Sequence, residues 1–265
     1  MSGLVRWLTA GNPSIYTLQG TNTYLVGDPE GRDLVCIDPG PHDAAHLAAV
    51  TDAGGGRIRE ILLTHRHPDH VAGAPALAET LGIGISAAAP EGLTGARPLA
   101  DGEIVRASGA SLRVVPTPGH SSDHICFYLE EERALLTGDH ILGWGTAVIP
   151  FPDGNLAAYM DSLKRLLRLD LGRLYPGHGP LIEDGTAKVE EYLAHRMDRE
   201  AQILAGLAAG DGSARELVAR IYVDVDPRLH PAAELSVLAH LTKLVAEGRA
   251  EQTGHDDYRL RSREA

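Results

Sequence analysis

The chain has 265 residues, of which 43% are hydrophobic and 23% are charged, and its formal net charge is −12 at pH 7. This composition is typical of a globular protein, and the length suits one large domain with a small second one. The negative charge disfavours a broad cationic surface for nucleic acid, because nonspecific binding depends on contacts from lysine and arginine to phosphates.

The chain has no feature expected of an exported or membrane protein. Its first residues, MSGLVRWLTAGNPS, lack the apolar core and cleavage site of a secretory signal. No apolar run approaches the roughly 20 residues that span a bilayer. Cys36 and Cys126 both lie in strand-like runs. We therefore expect a cytoplasmic protein without membrane contact, in which both thiols are buried and free.

Short apolar runs alternate with turns between about residues 15 and 180. These runs predict strands, and amphipathic runs that end in glycine predict helices. The EEER segment is typical of a hairpin turn. A chain that mixes hairpins with helices in this way indicates sheets covered by helices. The expected strands cover 23–28, 33–40, 60–65, 111–119, 124–139 and 173–179, and the expected helices cover 43–54, 70–82 and 156–169.

Helices predominate after residue 186. The expected helices cover 186–210, 213–223 and 231–254, and a short strand covers 258–261. This order predicts a winged-helix-like unit. In DNA-binding versions the third helix carries basic or amide residues, whereas this one has balanced charge: Glu234, Lys243, Glu247 and Arg249. We expect no sequence-specific DNA binding, and instead a domain at 187–265 that walls the cleft of a catalytic domain at 1–186.

The segment HRHPDH follows an apolar run and concentrates three imidazoles and a carboxylate. His65 and His67 are two residues apart, and an extended chain points alternate side chains the same way, so both can bind one metal ion. The proline suits the first turn of a following helix. Asp69 and His70 in that turn can face the other side of the same pocket. One short segment can therefore supply ligands to two adjacent ions.

Three later turns supply the remaining ligands, because each places a ligand-type residue beside glycine after an apolar strand. These turns read TPGH, TGD and PGH. Small glycines let the backbone approach a crowded centre. We expect two groups of ligands joined by a bridging carboxylate: His65, His67 and His120 on one ion, Asp69, His70 and His178 on the other, and Asp139 between them.

Imidazole and carboxylate ligands without thiolate favour two zinc ions per chain, with manganese and iron as alternatives. Two ions roughly 3.5–4 Å apart share a water and lower its pKa toward about 7. The expected nucleophile is therefore a metal-bound hydroxide, with Asp69 and Asp139 as the carboxylates that act in catalysis. It would attack a carbonyl carbon or a phosphorus atom.

Two further residues are candidates for supporting the metal ligands. Asp38 ends the CIDPG strand near the expected site, and a ligating histidine usually donates its second ring nitrogen to a carboxylate or carbonyl. A simple turn aspartate before Pro39 is the alternative. His124 lies close to an expected ligand in the GHSSDH segment, and it is a candidate for a similar supporting role.

These motifs resemble those of the metallo-β-lactamase fold superfamily. THRHPDH matches its HxHxDH motif, and GH at 119–120, GD at 138–139 and GH at 177–178 match its later motifs in order and spacing. The resemblance implies an α/β fold: a four-layer αββα metallo-β-lactamase sandwich with a dinuclear site at one edge, followed by the small winged-helix-like α domain.

More narrowly, the segments TLQGTNTYLVG, YPGHGP and HRMDREAQIL look like the β-lactamase-like protein 2 family. That family carries a C-terminal winged-helix-like domain, so the resemblance covers nearly the whole chain. Its animal members are implied to be endoribonucleases, whereas related fungal and bacterial proteins include thioesterases that release polyketide chains. Antibiotic hydrolysis is disfavoured, because such enzymes are exported and commonly have cysteine at the position of Asp139.

The sequence therefore predicts a zinc-dependent hydrolase, with endoribonuclease activity on single-stranded RNA as the first hypothesis. Arg196 and Arg199 are candidates for phosphate contacts, with a solvated helix face as the alternative. Trp144 is a candidate for stacking a base or covering an acyl group. The second hypothesis is an ester or thioester hydrolase, including a glyoxalase II-like activity. Both a monomer and a homodimer are compatible with the sequence.

Overall fold

Two β-sheets form the centre of the computed structural model, which describes residues 3–210 and 212–261. The first sheet contains, in spatial order, β1 (Val5–Thr9), β2 (Asn22–Val26), β3 (Leu34–Ile37), β4 (Ile58–Leu62), β5 (Gly84–Ala87) and β6 (Arg97–Pro98). The second contains β7 (Ile104–Ala107), β8 (Ala110–Pro116), β9 (Ile125–Leu129), β10 (Ala134–Gly138) and β11 (Leu174–Pro176). Strands β3 to β6 pair in parallel, as do β10 and β11, whereas the other neighbours are antiparallel.

Helices cover the outer faces of both sheets and complete four layers. Helices α1 (Ala44–Gly54), α2 (Pro68–Val71) and α3 (Ala74–Leu81) accompany the first sheet, and α4 (Leu156–Leu166) and α5 (Gly185–Ala209) accompany the second. Strand β2 is buried on both sides: Tyr24 and Val26 contribute to the core between the sheets, and Leu25 contributes to the core under α1 and α3. This alternation follows from the two-residue period of a strand. The predicted αββα sandwich is confirmed.

The C-terminal unit has its own apolar core. It consists of α6 (Ala214–Ile221), α7 (His230–Ala246), and a hairpin of β12 (Ala250–Gln252) with β13 (Tyr258–Leu260). A capping box between Ser213 and Glu216 begins α6. Helix α5 contributes Tyr192 to the core of the main body and Ile203 to the C-terminal core. Because this helix belongs to both cores, the domain division between residues 186 and 187 stays a prediction.

Several elements differ from those the sequence predicted. The helix expected over 70–82 is interrupted at Gly73, whose N–H donates to the carbonyl of Gly40 at 3.0 Å. The Gly73 N–H thus bonds outside the helix. A Cβ at Gly73 would lie 2.9 Å from the Pro41 carbonyl oxygen, so the close approach of the two backbones leaves no room for a side chain at this position. The helix expected over 231–254 ends at Ala246. Strands β1, β5, β6, β7 and β12 were not predicted, since each has at most five residues and so short a run carries little pattern.

The cysteines follow the prediction, because Cys36 and Cys126 are both free and buried. Burial raises the pKa of the Cys126 thiol to about 12 and raises that of Cys36 as well. Both thiols are therefore protonated near neutral pH and contribute to packing. Among the helices of the described residues, none has both the length and the apolar character that crossing a membrane requires.

Arg196 of α5 is a buried cation that joins three parts of the chain. Its side chain is only 1% exposed. One guanidinium nitrogen donates to the carbonyl of Ala147 and another donates to Ser236 Oγ of α7 at 3.3 Å. The guanidinium carbon also lies 5.2 Å from the centroid of the Tyr159 ring of α4. Arg196 thus links the backbone at Ala147 to α4 of the body and to α7 of the C-terminal unit.

Substituting Arg196→Met should destabilise the fold, because the buried Ala147 carbonyl would lose its donor. An unsatisfied buried polar group costs about 1–3 kcal/mol, which thermal or denaturant unfolding would measure. Arg165→Met is the matched control, since Arg165 lies on the surface and pairs with Asp101. Equal stability of the two variants would contradict the role assigned to Arg196.

Candidate metal centre

The two sheets bring the ends of five strands to one edge of the molecule. Strands β8 and β10 both run antiparallel to β9, and β11 is parallel to β10, so the carboxyl ends of β8, β10 and β11 lie together. In the first sheet β3 and β4 are parallel. The Asn22 N–H donates to the Gly177 carbonyl, and the Ile125 N–H donates to the Thr64 carbonyl, both at 2.8 Å. These bonds join the two sheets at this edge.

The first group of predicted ligands lies after β4, β8 and β10. The ring nitrogens of His65, His67 and His120 and a carboxylate oxygen of Asp139 lie within 4.8 Å of one another. His67 Nδ1 lies 3.0 Å from His65 Nε2 and 2.9 Å from His120 Nε2. Three imidazoles that turn their nitrogens toward one point provide the donor set of a cation site.

The second group is formed by Asp69, His70 and His178, whose donor atoms also lie within 4.8 Å of one another. His178 Nε2 lies 3.2 Å from Asp69 Oδ2 and 3.3 Å from His70 Nε2. Thr21 donates from Oγ1 to Asp69 Oδ2 at 3.2 Å. The helical turn of α2 therefore places Asp69 and His70 beside His178 at the end of β11, while the His70 ring also lies against His65, with 4.3 Å between the ring centroids.

Asp139 lies between the two groups. Its Oδ1 is 3.3 Å from His70 Nε2 and 3.2 Å from His178 Nε2, whereas its Oδ2 is 3.6 Å from His120 Nε2. One oxygen thus faces each group, which is the arrangement expected of a bridging carboxylate. Gly177 makes room for it, since a Cβ there would lie 2.6 Å from Asp139 Oδ1.

Neighbouring groups hold the remaining ring nitrogens of four of these histidines. His120 Nδ1 donates to the Val148 carbonyl at 2.7 Å, and His178 Nδ1 donates to the Gly20 carbonyl at 3.2 Å. His70 Nδ1 donates to Asp38 Oδ2 at 2.8 Å, and His65 Nδ1 lies 2.9 Å from Thr64 Oγ1. Such contacts fix the tautomer and the ring orientation, and they leave each Nε2 to accept a cation.

Asp38 organises the start of the HRHPDH segment. Its Oδ1 accepts the Thr64 N–H at 2.8 Å, and its Oδ2 accepts the Thr64 hydroxyl at 2.6 Å as well as His70 Nδ1. The backbone of Asp38 adopts a left-handed conformation with φ of 50°, which is unusual for a residue other than glycine. The carboxylate thus accepts bonds from both ends of the segment that carries four of the predicted ligands.

His124 supports the bridging carboxylate through the backbone. Its Nε2 accepts the Asp139 N–H at 3.1 Å, so its Nδ1 donates to Thr117 Oγ1 at 2.9 Å. Gly138 precedes this contact with a φ of 47°, and a Cβ there would lie 2.6 Å from Thr64 Oγ1 and 2.8 Å from His124 Nε2. The glycine of the TGD turn is therefore required by both its backbone conformation and its surroundings.

Burial and nearby charges divide the histidines into two electrostatic classes. Burial lowers the pKa of His65, His120 and His124, so these imidazoles are neutral near pH 7. Burial also acts to lower the pKa of His178, but Asp139 and Asp69 outweigh it and raise the value to about 9. Asp139 and Asp38 likewise raise the pKa of His70. Without a cation, protons on His70 and His178 thus balance the negative charge of the nearby carboxylates.

The predicted substrate residues occupy different positions. Trp144 is 68% exposed and Arg199 is half-buried, and both line the large cavity beside the candidate centre. Arg196 is buried among protein groups and does not line that cavity. The sequence pattern of a helix does not show whether a polar face contacts solvent or is covered by another domain. For this reason the sequence suggested the same role for Arg196 and Arg199, although only Arg199 lines the cavity.

Five contributors to the site were not anticipated from the sequence. They are the hydroxyls of Thr21, Thr64 and Thr117 and the carbonyls of Gly20 and Val148. Thr64 immediately precedes the first histidine of HRHPDH, which was the available signal for its role. A backbone carbonyl carries no signature in the sequence, so the contact of Val148 with His120 is visible only in the fold.

A cavity of about 910 Å³ opens onto the candidate centre. Its lining includes Asp69, Asp139 and three of the clustered histidines at one side, and residues of α5 and the C-terminal unit at the other. Between them the walls are mostly apolar. The apolar lining comes from three segments: Ile15 and Leu18 after β1, Leu142, Trp144, Ala147, Val148 and Pro150 after β10, and Val225, Leu229, Ala232, Ala233 and Leu235 of the C-terminal unit.

Comparison with known proteins extends these observations. A family model described as the metallo-beta-lactamase superfamily matches residues 16–178, and one described as the beta-lactamase associated winged helix domain matches residues 213–259. The predicted winged-helix-like unit is therefore confirmed. A metallo-beta-lactamase family protein from Thermus thermophilus has a similar structure, with a TM-score of 0.78 and 28% identity over 97% of this chain and 98% of that one.

Two relatives differ in how much of their length is matched. The Beta-lactamase-like protein 2 homolog of Drosophila melanogaster is 40% identical over 259 residues, which cover 90% of this chain and 86% of that protein. The Lactamase-like protein adaB of Aspergillus niger is 42% identical over 206 residues, and the match spans 76% of this chain and 62% of the fungal protein's length. The chain belongs to the metallo-beta-lactamase superfamily, within the β-lactamase-like protein 2 family, and carries the associated winged helix domain.

Proposed function

We propose that this chain is a dinuclear metallo-hydrolase that cleaves an acyl thioester or ester bond. The observation that carries the proposal is the cavity, which joins the donor cluster to a long and mostly apolar space. Ligand sites of this kind are lined mainly by apolar groups, with a few polar groups that orient the ligand. The acyl part of the substrate fills the apolar space, and its carbonyl lies at Asp69 and Asp139.

The donor chemistry fits two divalent cations. We assign His65, His67 and His120 to one ion and Asp69, His70 and His178 to the other, with Asp139 shared. Imidazole and carboxylate donors without thiolate suit zinc, with manganese and iron as alternatives. Bound cations would supply Lewis acidity and lower the pKa of a water toward about 7.

The chain's own residues prepare this chemistry in three ways. Asp38 accepts the Nδ1 proton of His70, which keeps Nε2 available. His124 accepts the Asp139 N–H, which fixes the carboxylate between the two groups. The apolar walls of the cavity exclude water from the bound acyl group, and electrostatic interactions gain strength in such a space.

Cleavage of single-stranded RNA is the second candidate function. The observation in its favour is a set of exposed aromatic side chains at the cavity, where Trp144 is 68% exposed and Tyr16 is 53% exposed. Such rings can stack on bases. The cavity offers few cations for a phosphate backbone, however, because Arg196 is buried and Arg199 is the lone lysine or arginine among the described residues that line it. The apolar walls therefore favour the acyl substrate.

Zinc binding to the metal-free protein should saturate at two ions per chain and release protons at pH 7. The proton on His178, whose pKa is about 9, must leave before the imidazole can bind a cation. The apparent affinity should therefore rise as the pH increases from about 6 to 8. Calorimetry in two buffers of different ionisation enthalpy measures the released protons. Saturation at one ion, or heats that do not depend on the buffer, would contradict the assignment.

Asp38→Asn should weaken zinc binding without unfolding the chain. The amide of asparagine provides one acceptor oxygen, whereas the carboxylate accepts from Thr64 and His70 on two. Loss of a carboxylate behind a ligating histidine typically lowers metal affinity about 10- to 100-fold, which competition with a chelator measures. Asp52→Asn on the exposed face of α1 is the charge-matched control. An affinity equal to that of the control would remove Asp38 from the centre.

The zinc-loaded protein should hydrolyse acyl thioesters and leave single-stranded RNA intact. Turnover is followed by thiol release in one assay and by cleavage of a labelled oligonucleotide in the other. Asp139→Ala, which removes the shared carboxylate, should reduce thioester turnover to the background rate. Cleavage of RNA by the native chain but not by this variant, with thioesters untouched, would replace the proposal with the second candidate. Cleavage in both proteins would indicate a contaminating nuclease.

A further inference from the structure

The wall of the cavity contributed by α5 carries two polar side chains. His195 and Arg199 are four residues apart in the helix, and such a spacing places them on the same face. Both line the cavity that also contacts Asp69 and Asp139. The surrounding walls are mostly apolar. Arg199 therefore places a positive charge in a mostly apolar cavity, where an anionic partner would stabilise it.

Aromatic stacking holds Arg199 in place, and no acidic side chain neutralises it. Its guanidinium carbon lies 4.0 Å from the centroid of the Tyr222 ring, and Nη1 donates to Gln202 Oε1 at 2.7 Å. The Nε of Arg199 is buried without a partner, and within the described chain no carboxylate pairs with this side chain. The next residue of α5, Glu200, pairs instead with both Lys243 and Arg249.

His195 adds a second unsatisfied group beside Arg199. Its Nδ1 is buried and has no hydrogen-bond partner among the described residues. Burial and the neighbouring arginines lower the pKa of His195, so the ring is neutral near pH 7. Arg199, a cation without a carboxylate partner in the described chain, and His195, a neutral imidazole, thus line one side of a mostly apolar cavity, and a few polar groups in such a cavity are the features of a site for a ligand's polar group.

We propose that Arg199 and His195 form a second subsite, which binds an anionic oxygen group of the substrate remote from the bond that is cleaved. The inference rests on the proposed function and names the class of substrate: an acyl thioester or ester with an apolar middle and an anionic end. Guanidinium groups pair strongly with carboxylates and phosphates. The contact between the guanidinium and the Tyr222 ring preorganises this donor.

The anionic group has two sources, the acyl chain and the thiol part, and the test separates them. Three thioether analogues that cannot be hydrolysed serve as ligands for the zinc-loaded, full-length protein. The first ends in a methyl group on the acyl side and has a neutral thiol part. The second replaces this methyl with a carboxylate, and the third instead carries a phosphate on the thiol part. Calorimetry measures their binding, so the result does not depend on turnover.

The native protein should bind at least one charged analogue more tightly than the methyl analogue, by roughly 10- to 100-fold. Arg199→Met should remove this preference, whereas Arg199→Lys should retain part of it and Arg165→Met should retain all of it. A preference for the carboxylate assigns the anion to the acyl chain, and a preference for the phosphate assigns it to the thiol part.

Three results would overturn the subsite. They are equal binding of all three analogues by the native protein, a preference that persists in Arg199→Met, and an equal loss of affinity for every analogue in that variant. Arg199-dependent binding of an RNA oligonucleotide, together with equal binding of the thioethers, would assign the arginine to phosphodiesters instead. Failure of the proposed function is distinguishable, because it appears as absent thioester turnover while the binding preference persists.

Discussion

The candidate centre depends on imidazoles and carboxylates that converge in a buried space. An unpaired charge is unfavourable in such a space, so the charges there must balance. Asp139 is the centre of this arrangement, because each of its oxygens faces a different group of histidines. Protons on His70 and His178 balance the carboxylates in the metal-free chain, and cations take over that role in the proposed enzyme. The outer bonds from Asp38 and Val148 then decide which ring nitrogens face inward.

The C-terminal unit completes the site and also stabilises it. Helix α5 belongs to the apolar cores of both the body and the winged helix domain. Arg196 of this helix binds the Ala147 carbonyl, and the next residue, Val148, accepts the bond from His120. The same helix exposes Arg199 to the cavity. The winged helix domain thus forms a wall of the cavity beside the candidate centre, and its charge-balanced helices fit that role better than DNA binding.

Much of the fold and of the candidate site was predictable from local pattern. The spacing of HRHPDH predicted that His65 and Asp69 would turn toward a common space, and glycine-flanked turns predicted the positions that meet them. The burial of Arg196 was not predictable, since a helix pattern does not say which element covers it. The break at Gly73 and the contacts of Thr64 depend on residues distant in sequence. Local pattern therefore identifies donors, but long-range packing determines how they are held.

The most direct test of the central claim is anomalous diffraction from crystals of the zinc-loaded protein. Two peaks are expected in the difference map, one at the nitrogens of His65, His67 and His120 and one at Asp69, His70 and His178. Density for the Asp139 carboxylate should contact both. A single peak, or two peaks with Asp139 turned away from either ion, would contradict the claim that this chain is a dinuclear hydrolase.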